Sequence, residues 1–287
     1  MMKRPFFTVI TVCYNAGDGL RRAIEMLRGQ SCGDFEYIIK DGGSTDGSVD
    51  AIRSLIDGDG RVTVSVCSDG GIYDAMNQAL AMAKGRYIYF LNCGDTLYCD
   101  RVLEEVRCFI GASLCNDAVK TLDSGEKCSD NAVIYGDFIH RGELIRQPRK
   151  LDKGYLYRRP LNHQSTFFGR GVFEKYGSFD TSLIIRADHD LTLRAFVGGT
   201  PFLKLERTVN TYEGGGFSER EDKKVLRERE LELIRERYFT ESERRKYDRL
   251  DRSPITAIGR KLRSQRSPGW VRRLYRGVVN FANRYKM

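Results

Sequence analysis

Two polar turns, each following an apolar run, contain the side chains with the strongest potential for chemistry. The apolar run at 37–39 leads into Asp41 and a turn of glycine, serine and threonine residues. The apolar run at 87–91 ends a few positions before Asp95. If both runs are parallel strands of one sheet, their carboxyl ends bring Asp41 and Asp95 to the same edge, where open α/β sheets bind ligands. Two carboxylates at that edge suit a nucleotide and a divalent cation.

Apolar and amphipathic stretches alternate along the chain, as expected for βαβ units that would position these turns. A buried strand is predicted at 6–14, and a helix with one apolar face follows at 17–30. The other predicted strands are 36–40, 61–67 and 87–91, with a hairpin formed by 132–140 and 143–147. The other predicted helices are 48–56, 72–84 closed by Gly85 in the C′ position, 100–110, 190–196 and one long charged helix at 221–247. The alternation indicates an α/β fold, in which residues 115–131 form a polar loop.

Four segments, 8–15, 41–47, 71–77 and 90–95, occur in the order and spacing of a known family. They read TVITVCYN, DGGSTDG, GIYDAMN and FLNCGD. Together they resemble the family 2 glycosyltransferases, which are inverting enzymes with the GT-A fold, and in particular the branch that builds bacterial surface polysaccharides such as O-antigen, capsule and exopolysaccharide. The resemblance spans roughly residues 6–218. It implies a Rossmann-like, mostly parallel central sheet flanked by helices. It also implies sugar transfer from a nucleotide diphosphate, with a UDP-sugar expected, to a saccharide or a polyprenyl-diphosphate-linked acceptor.

The resemblance further implies a set of donor-binding residues. It assigns the contact with the N–H of a uracil-like base to Asp41, with Thr11, Tyr14 and Asn15 lining the same pocket. The other implied donor contacts are Ser44, Asp69, Asp74, Asn77, Asn92 and Gly94. Two structural alternatives stay open. An aspartate such as Asp41 is also common as a turn residue in a glycine-rich loop, and Asp74 also suits a helix first turn, where the dipole stabilises a carboxylate.

The departing diphosphate needs a cation to offset its charge, and carboxylate oxygens suit Mn²⁺ or Mg²⁺. The resemblance implies that Asp95 holds this metal, because it matches the last acidic residue of the family's Asp-x-Asp region. Asn92 and Gly94 stand where many family members have carboxylates. Asp95 is therefore the one acidic ligand in the motif, and metal affinity is expected to be weak until the donor phosphates join it.

An inverting transfer needs a general base for the acceptor hydroxyl. The resemblance places this role on Asp188, which precedes a predicted helix, with Asp190 as the competing carboxylate. A carboxylate at a helix start is often only an N-cap, so both readings stay open. His163 is expected to contact the diphosphate or the acceptor, although a lone histidine is more often structural. The resemblance also implies a flexible lid over the donor at Gly214, Gly215 and Gly216, which would exclude water.

Positive charge is concentrated at the end of the chain. The sequence has 48 Lys and Arg against 39 Asp and Glu, and residues 252–287 contain ten of the basic residues and no acidic one, which leaves 38 against 39 in residues 1–251. Apolar residues including Trp270 and Phe281 are interleaved with these cations at helical spacing. Such a basic amphipathic helix suits an anionic membrane surface. A helix packed on its own domain, a solvated tail or a nucleic-acid contact remain the alternatives.

These features predict two parts: a catalytic domain at 1–220 and a helical, basic extension at 221–287. No stretch approaches the roughly 18 apolar residues of a membrane-spanning helix. The eight cysteines include no C-x-x-C pair, which favours reduced thiols in a cytosolic protein over disulfides or zinc. We therefore expect a cytoplasmic enzyme held peripherally on the inner face of the cell membrane.

Two other classes of protein share parts of this pattern. A nucleotidyltransferase uses a related sheet and metal site, but it would carry a glycine-rich, basic phosphate loop near the N-terminus, and residues 13–22 show none. A non-catalytic nucleotide-sugar-binding scaffold at the membrane would fit the depleted Asp-x-Asp region. Asp188, His163 and the glycine run argue for catalysis, because a scaffold has no need of them. Turnover of a nucleotide sugar separates the three classes.

Overall fold

The computed structural model of the chain describes residues 4–115 and 130–252. One compact unit covers Met1–Ile234 and a second covers Arg235–Met287. The loop predicted at 115–131 and the basic helix predicted within 252–287 lie outside the described residues, except at their edges. No helix in the described part of the chain is long and apolar enough to cross a membrane.

The described residues alternate between strands and helices through most of the first unit. The strands are β1 Phe7–Cys13, β2 Phe35–Asp41, β3 Val62–Val66, β4 Tyr87–Phe90, β5 Thr96–Leu97, β6 Val133–His140, β7 Glu143–Ile145, β8 Thr166–Gly169 and β9 Phe202–Tyr212. The helices are α1 Gly19–Arg28, α2 Ser48–Ile56, α3 Ile72–Met82, α4 Val102–Cys115, α5 Lys153–Arg158, α6 Arg170–Tyr176, α7 Ala187–Val197, α8 Lys224–Tyr238 and α9 Glu241–Arg252. A short 3-10 turn, His163–Ser165, precedes β8.

The strands form one nine-stranded sheet in the order β3-β2-β1-β4-β8-β6-β9-β5, with β7 paired to β6. The half from β3 to β4 is parallel throughout, because β1 pairs in parallel with both β2 and β4 and β2 pairs in parallel with β3. β8 is antiparallel to both its neighbours, and β6 runs parallel to β9. This confirms the α/β fold and the hairpin, and it places the carboxyl ends of β2 and β4 at one edge.

The main core lies between the parallel strands and the helices that cross over them. The predicted apolar face of α1 is buried there, with Leu20 and Ile24 at no more than 1% exposure. Two tyrosines of β4, Tyr87 and Tyr89, are equally buried, and the Tyr89 ring stacks 4.4 Å from Phe167 of β8. Burial of such large aromatic side chains contributes most of the hydrophobic stabilisation of a layer of this kind.

Gly85 serves a different purpose from the one predicted. Helix α3 ends at Met82, with Ala83 already extended, so Gly85 is not the C′ residue that terminates it. A Cβ at Gly85 would lie 2.4 Å from the backbone nitrogen of Thr8. The Gly85 N–H also donates to the Thr8 hydroxyl at 2.8 Å. The glycine is therefore required by the close approach of two backbone segments at the start of β1.

The prediction of a single long helix at 221–247 is wrong, because the helix is interrupted between the end of α8 at Tyr238 and the start of α9 at Glu241. Thr240 caps α9: the Glu243 N–H donates to its hydroxyl at 3.3 Å, and the Thr240 N–H donates to the Glu243 carboxylate at 2.9 Å. This reciprocal pair is a capping box, in which two otherwise unpaired backbone donors are satisfied. The T-x-x-E spacing that marks it is visible in the sequence.

Candidate active site

The turn after β2 is organised around Asp41, which is fully buried. One carboxylate oxygen accepts the backbone N–H groups of Gly43 at 2.9 Å and Ser44 at 2.7 Å, and the other accepts the Ser44 hydroxyl. Burial alone would raise the pKa of Asp41, but these hydrogen bonds outweigh it and hold the pKa below its usual range. Asp41 therefore shapes the turn as an ionised carboxylate, as the turn-residue alternative expects, whatever else it contacts.

The loop after β1 is bonded directly to this turn. The backbone N–H of Asn15, which has φ +51°, donates to the Ser44 hydroxyl at 2.7 Å, and its side-chain oxygen accepts the Thr45 N–H at 3.0 Å. Next to it, the Tyr14 side chain is 67% exposed. A Cβ at Gly42 would lie 2.9 Å from the Asp69 carboxylate and 3.4 Å from the Tyr14 ring. The absence of a side chain at Gly42 thus allows the Asp69 carboxylate and the exposed Tyr14 ring to approach the turn closely.

Lys40 is a member of this site that the sequence analysis missed. Its side chain is fully buried, and its ammonium group donates to Asp69 at 2.9 Å, to the Cys67 carbonyl at 2.7 Å and to the Asp41 carbonyl at 3.1 Å. All three of its N–H donors are therefore used. The signal that could have revealed it is its position: a lysine stands between the apolar run at 37–39 and Asp41, at the end of the strand predicted at 36–40. Lys40 fixes Asp69 against the ends of β2 and β3.

Three residues predicted to contact the donor make hydrogen bonds to other parts of the protein. The Thr11 hydroxyl is fully buried and donates to the Leu91 carbonyl at 2.8 Å. Asn77 brackets the backbone of Phe179, with hydrogen bonds of 2.9 Å and 3.0 Å. Asp74 accepts the Gly70 N–H at 2.8 Å, as the helix-first-turn alternative expects. None of the three makes a hydrogen bond with Asp41 in the described part of the chain.

Asp95 follows β4 at the same edge, after a turn in which Gly94 has φ +95°. It is 9% exposed and accepts the Gln164 side-chain N–H at 2.5 Å. Burial, together with the charge of Glu219, raises the pKa of Asp95 to about 6, although the Gln164 hydrogen bond and His163 oppose the rise. A buried carboxylate without an ion-pair partner in the described chain fits a divalent cation. No cluster of three His, Cys, Asp or Glu suited to a metal occurs among the described residues.

His163 and Asp188 form a hydrogen-bonded pair, with His163 Nδ1 at 3.0 Å from Asp188 Oδ2. On its other side the His163 ring faces the Asn92 amide, whose nitrogen lies 3.4 Å from Nε2. An amide N–H can only donate there, which assigns the ring proton to Nδ1 and directs it at Asp188. The structure therefore brings together Asn92, His163 and Asp188, which the sequence separates by almost a hundred positions.

The carboxylate of Asp188 is partly open, with 14% of its side chain exposed. Its second oxygen accepts the Tyr73 hydroxyl at 3.1 Å and the His189 N–H at 2.8 Å. Burial opposes ionisation, but the hydrogen bond from His163 and its electrostatic interaction with the carboxylate prevail and hold the pKa of Asp188 below its usual range. The competing carboxylate, Asp190, is 1% exposed and is paired with Arg194 at 2.8 Å. Of the two, Asp188 is the one that a substrate can reach.

The backbone before Asp188 is held by Glu230 of α8, which the sequence analysis also missed. Glu230 is 3% exposed, and its carboxylate accepts the N–H groups of Ile184 at 2.7 Å, Ile185 at 3.0 Å and Arg186 at 2.9 Å. From α3, the one proton of the Tyr73 hydroxyl is shared between the Ile185 carbonyl at 2.7 Å and Asp188 at 3.1 Å. The sequence of α8 is rich in charged residues, and no feature of it distinguishes the buried Glu230 from the exposed glutamates beside it.

The glycine run that follows β9 lies against the end of β6. Gly214 and Gly215 both have φ +79°, and a Cβ at Gly214 would lie 2.7 Å from His140 Nε2. Glu219 accepts the Gly215 N–H at 3.0 Å and pairs with Arg141 at 3.3 Å. Left-handed backbone and close packing both require glycine here. Gly216 is extended and has open space where a Cβ would stand.

An open α/β sheet with an acidic turn, a buried carboxylate and a His–Asp pair at one edge is the architecture of a nucleotide-dependent transferase. Residues 8–110 match the family described as Glycosyl transferase family 2. A "PGL/p-HBAD biosynthesis glycosyltransferase" of Mycobacterium bovis is 32% identical over 197 residues, which cover 68% of this chain and 71% of that protein. The "Putative glycosyltransferase EpsH" of Bacillus subtilis is 29% identical over 183 residues, 60% of this chain and 53% of that protein. The chain belongs to glycosyl transferase family 2, and it is a glycosyltransferase.

Solved structures agree with this fold. TarS of S. aureus, in complex with UDP-GlcNAc, superposes with a TM-score of 0.61 at 18% identity, covering 82% of this chain and 68% of that one. The mannosyltransferase PcManGT of Pyrobaculum calidifontis, in complex with GDP-Man and Mn²⁺, gives a TM-score of 0.57 at 18% identity, covering 82% of this chain and 64% of that one. At this level of identity the similarity establishes the GT-A fold, but it does not establish which ligands this chain binds.

Proposed function

We propose that the protein is an inverting glycosyltransferase that moves a sugar from a UDP-sugar to a saccharide or lipid-linked saccharide of a bacterial surface polysaccharide. The observation that carries the proposal is the His163–Asp188 pair, held beside Asn92 on the donor side of the site. The nearby Asp95 is linked to the same turn through Gln164. A partly open base, a donor-side carboxylate and a histidine between them are the groups that a single-displacement sugar transfer requires.

Asp188 acts as the base in this proposal. Its carboxylate takes the proton of the acceptor hydroxyl as that oxygen bonds to the anomeric carbon, and the bond from that carbon to the diphosphate breaks with its electron pair leaving on the diphosphate. Attack from the side opposite the leaving group inverts the anomeric configuration. The Tyr73, His163 and His189 hydrogen bonds hold the carboxylate in one orientation, so little reorganisation is needed at the moment of reaction.

The donor occupies the edge between the β2 turn and Asp95. Tyr14 offers an exposed ring for stacking, and Asp69, held by Lys40, lines the opposite wall. Asp95 would hold Mn²⁺ or Mg²⁺ together with the donor phosphates, and such an ion offsets the charge that develops on the diphosphate. The relative crystallised with Mn²⁺ and GDP-Man, and TarS with UDP-GlcNAc, support a cation and a nucleotide sugar. The choice of UDP rests on the resemblance of the Asp41 turn.

The acceptor is proposed to be saccharide or lipid-linked, since the mycobacterial relative is named for glycolipid biosynthesis. The basic residues at 252–287 would then hold the enzyme peripherally at the inner face of the membrane, where such a lipid resides. In this arrangement residues 1–220 are the catalytic domain and residues 221–287 the extension that reaches the membrane.

The decisive experiment is turnover of a donor panel by the full chain with Mn²⁺. UDP- and GDP-sugars are supplied singly, nucleoside diphosphate release is measured, and the anomeric configuration of the product is read by NMR. We expect release from one UDP-sugar, with the product inverted. Cleavage of nucleoside triphosphates, retention of configuration, or no release from any nucleotide sugar would contradict the proposal.

A further inference from the structure

Residues 141–159 form a cationic segment, which begins at the turn of the β6–β7 hairpin, includes β7 and α5, and ends shortly before the active-site turn His163–Ser165. The segment has seven Lys and Arg residues against two acidic ones, whereas residues 1–251 together have 38 against 39. The segment thus has a net charge of +5, whereas the rest of residues 1–251 has 31 basic against 37 acidic residues and a net charge of −6. Such concentration needs an explanation, because like charges close together destabilise the free protein.

The side chains of three of these cations, Arg146, Lys150 and Arg158, are exposed and make no hydrogen bond or ion pair with any described residue. Other cations of the segment do have partners: Arg149 pairs with Glu206 at 3.0 Å, and Arg141 with Glu219 at 3.3 Å. The unpaired three thus keep all of their donors for a ligand. Arginine and lysine at such positions form charge-assisted hydrogen bonds to phosphate oxygens.

The cationic segment is attached to the catalytic pair at two points. Near its start, Gln147 donates to the Ser165 hydroxyl at 2.9 Å and accepts the Asn162 N–H at 3.1 Å, so it holds the turn that contains His163. Near its end, the Leu156 carbonyl accepts the His189 ring N–H at 2.7 Å, one residue after Asp188. Arg146 and Arg158 each lie within two residues of one of these attachments.

The segment also lies on the half of the site away from the donor base. Gln147 donates to the Gly136 carbonyl at 2.6 Å, and Tyr135 donates to the Pro148 carbonyl at 2.9 Å, so the segment runs along β6. The Asp41 turn follows β2, and three strands, β1, β4 and β8, separate β2 from β6 in the sheet. The segment is therefore separated from the turn proposed to bind the base, which favours the acceptor as the source of an anion bound there.

We infer that Arg146, Lys150 and Arg158 form a phosphate-binding subsite for a phosphate carried by the acceptor. The inference rests on the proposed function and deepens it, since it selects a phosphate-bearing lipid-linked saccharide over a neutral saccharide. The subsite would hold the acceptor's phosphate while its sugar hydroxyl reaches Asp188.

The test uses the full chain with its donor site first saturated with UDP, so that added diphosphate cannot bind there. Farnesyl diphosphate, a soluble prenyl diphosphate, is then titrated calorimetrically, with farnesol as the uncharged reference. We expect saturable binding of farnesyl diphosphate and none of farnesol. The triple variant Arg146→Gln, Lys150→Gln, Arg158→Gln should bind it roughly tenfold or more weakly, because three charge-assisted contacts are lost.

A matched triple variant, Arg28→Gln, Arg53→Gln, Lys175→Gln, removes the same charge from exposed positions on other elements. It should bind farnesyl diphosphate like the wild type. Equal loss in both triple variants, no effect in the segment variant, or no binding by the wild type would each overturn the inference. UDP affinity is measured on the same samples. A wild type that does not bind UDP contradicts the proposed function. If UDP binds normally but the segment variant binds farnesyl diphosphate as the wild type does, only the subsite is contradicted.

A second arm separates the acceptor's phosphate from ordinary lipid headgroups. Phosphatidylcholine vesicles containing a polyprenyl diphosphate are compared with vesicles of equal charge containing phosphatidylglycerol. The segment variant should lose binding to the first and keep its binding to the second. If it loses both equally, the segment is a general anionic-membrane surface and the acceptor subsite is wrong.

Discussion

The two carboxylates at the edge of the sheet differ in their electrostatic surroundings. Asp95 is buried near the charge of Glu219, and its pKa is raised to about 6. Asp188 accepts hydrogen bonds from three neighbours, and its pKa is held below the usual range despite burial. Environments that shift the pKa values of two titratable groups in opposite directions are typical of active sites in which the two groups have different roles. One carboxylate is suited to meet a cation and the other to stay ionised.

The base assignment predicts the effect of an isosteric change at Asp188. Asp188→Asn cannot accept the proton, so turnover should fall by roughly 10²–10⁴-fold while UDP affinity stays unchanged. Asp190→Asn is the comparison, because Asp190 is sealed in its ion pair with Arg194 and should affect stability more than turnover. A fully active Asp188→Asn beside an inactive Asp190→Asn would assign the base to the other carboxylate.

Metal-dependent donor binding is predicted to depend on Asp95. Replacing Asp95 with Ala leaves the phosphate charge and the ion without their protein ligand, so UDP binding in the presence of Mn²⁺ should weaken strongly. Calorimetry with and without Mn²⁺ measures this directly, and Asp50→Ala on the exposed face of α2 is the control. Equal UDP affinity in wild type and Asp95→Ala would remove Asp95 from the metal site.

His189 predicts a loss of stability in mild acid. It is fully buried, its Nε2 donates to Leu156, and its Nδ1 has no partner in the described residues, so a second ring proton would have no acceptor. Burial and the charge of Arg186 accordingly lower its pKa from 6.5 to about 4. The unfolded chain therefore takes up a proton below pH 6.5 that the folded chain takes up only near pH 4. Stability is full above pH 6.5 and falls as the pH drops through this window, by up to about 3 kcal/mol.

Urea denaturation at pH 7.5, 5.5 and 4.5 tests this contribution, with the pH values chosen as roughly spanning the titration of a histidine. His189→Gln keeps a donor for the Leu156 carbonyl but cannot ionise. The stability difference between wild type and variant should shrink as the pH falls. A constant difference across the three pH values would show that His189 does not titrate on unfolding.

Among the elements, α8 is more than a connection to the C-terminal part of the chain. Its Glu230 accepts three consecutive backbone N–H groups just before α7, which begins with Ala187 and Asp188. Together with Tyr73 of α3, Glu230 holds the base from two sides. Glu230 lies beyond residue 220, so the first part of the predicted extension contributes to the catalytic unit. The functional division at 220/221 itself stays a prediction.

Glu230→Gln should lower kcat while leaving the affinity for UDP near that of the wild type. The amide has one acceptor oxygen where the carboxylate has two, so at least one of the three N–H groups loses its partner and the base shifts. A displacement of this kind typically costs about tenfold or more in rate. Steady-state kinetics and UDP calorimetry on Glu230→Gln and on the exposed neighbour variant Glu228→Gln measure the effect. An unchanged kcat with reduced thermal stability would reduce Glu230 to a structural role.

For the whole molecule, the separation of charge between residues 1–251 and 252–287 predicts reversible membrane association. Removing residues 252–287 should abolish co-sedimentation with anionic vesicles and leave UDP binding intact. Added salt should weaken the association of the full chain, because charge interactions are screened beyond about 10 Å at 0.1 M salt. A truncated protein that still sediments, or that no longer folds, would show that this stretch packs on the domain instead.

The sequence by itself determined the order of elements and the family. Alternating strand and helix patterns persist because each element buries its own apolar face, and the turns at Asp41 and Asp95 follow directly from the ends of β2 and β4. Local signals of this kind need no knowledge of distant contacts. The errors at Gly85 and at the break before α9 arose where a local pattern had two structural meanings.

Only the tertiary structure decided which polar residues act together. His163 and Asp188 are 25 positions apart, and Glu230 lies 44 to 46 positions from the N–H groups that it accepts. The same fold pairs Thr11 with the Leu91 carbonyl and Asn77 with the Phe179 backbone. It also buries Asp190 in an ion pair with Arg194. A charged or polar side chain looks alike in sequence whether it faces water or a buried partner. Its role is set by the geometry and desolvation that folding imposes on it.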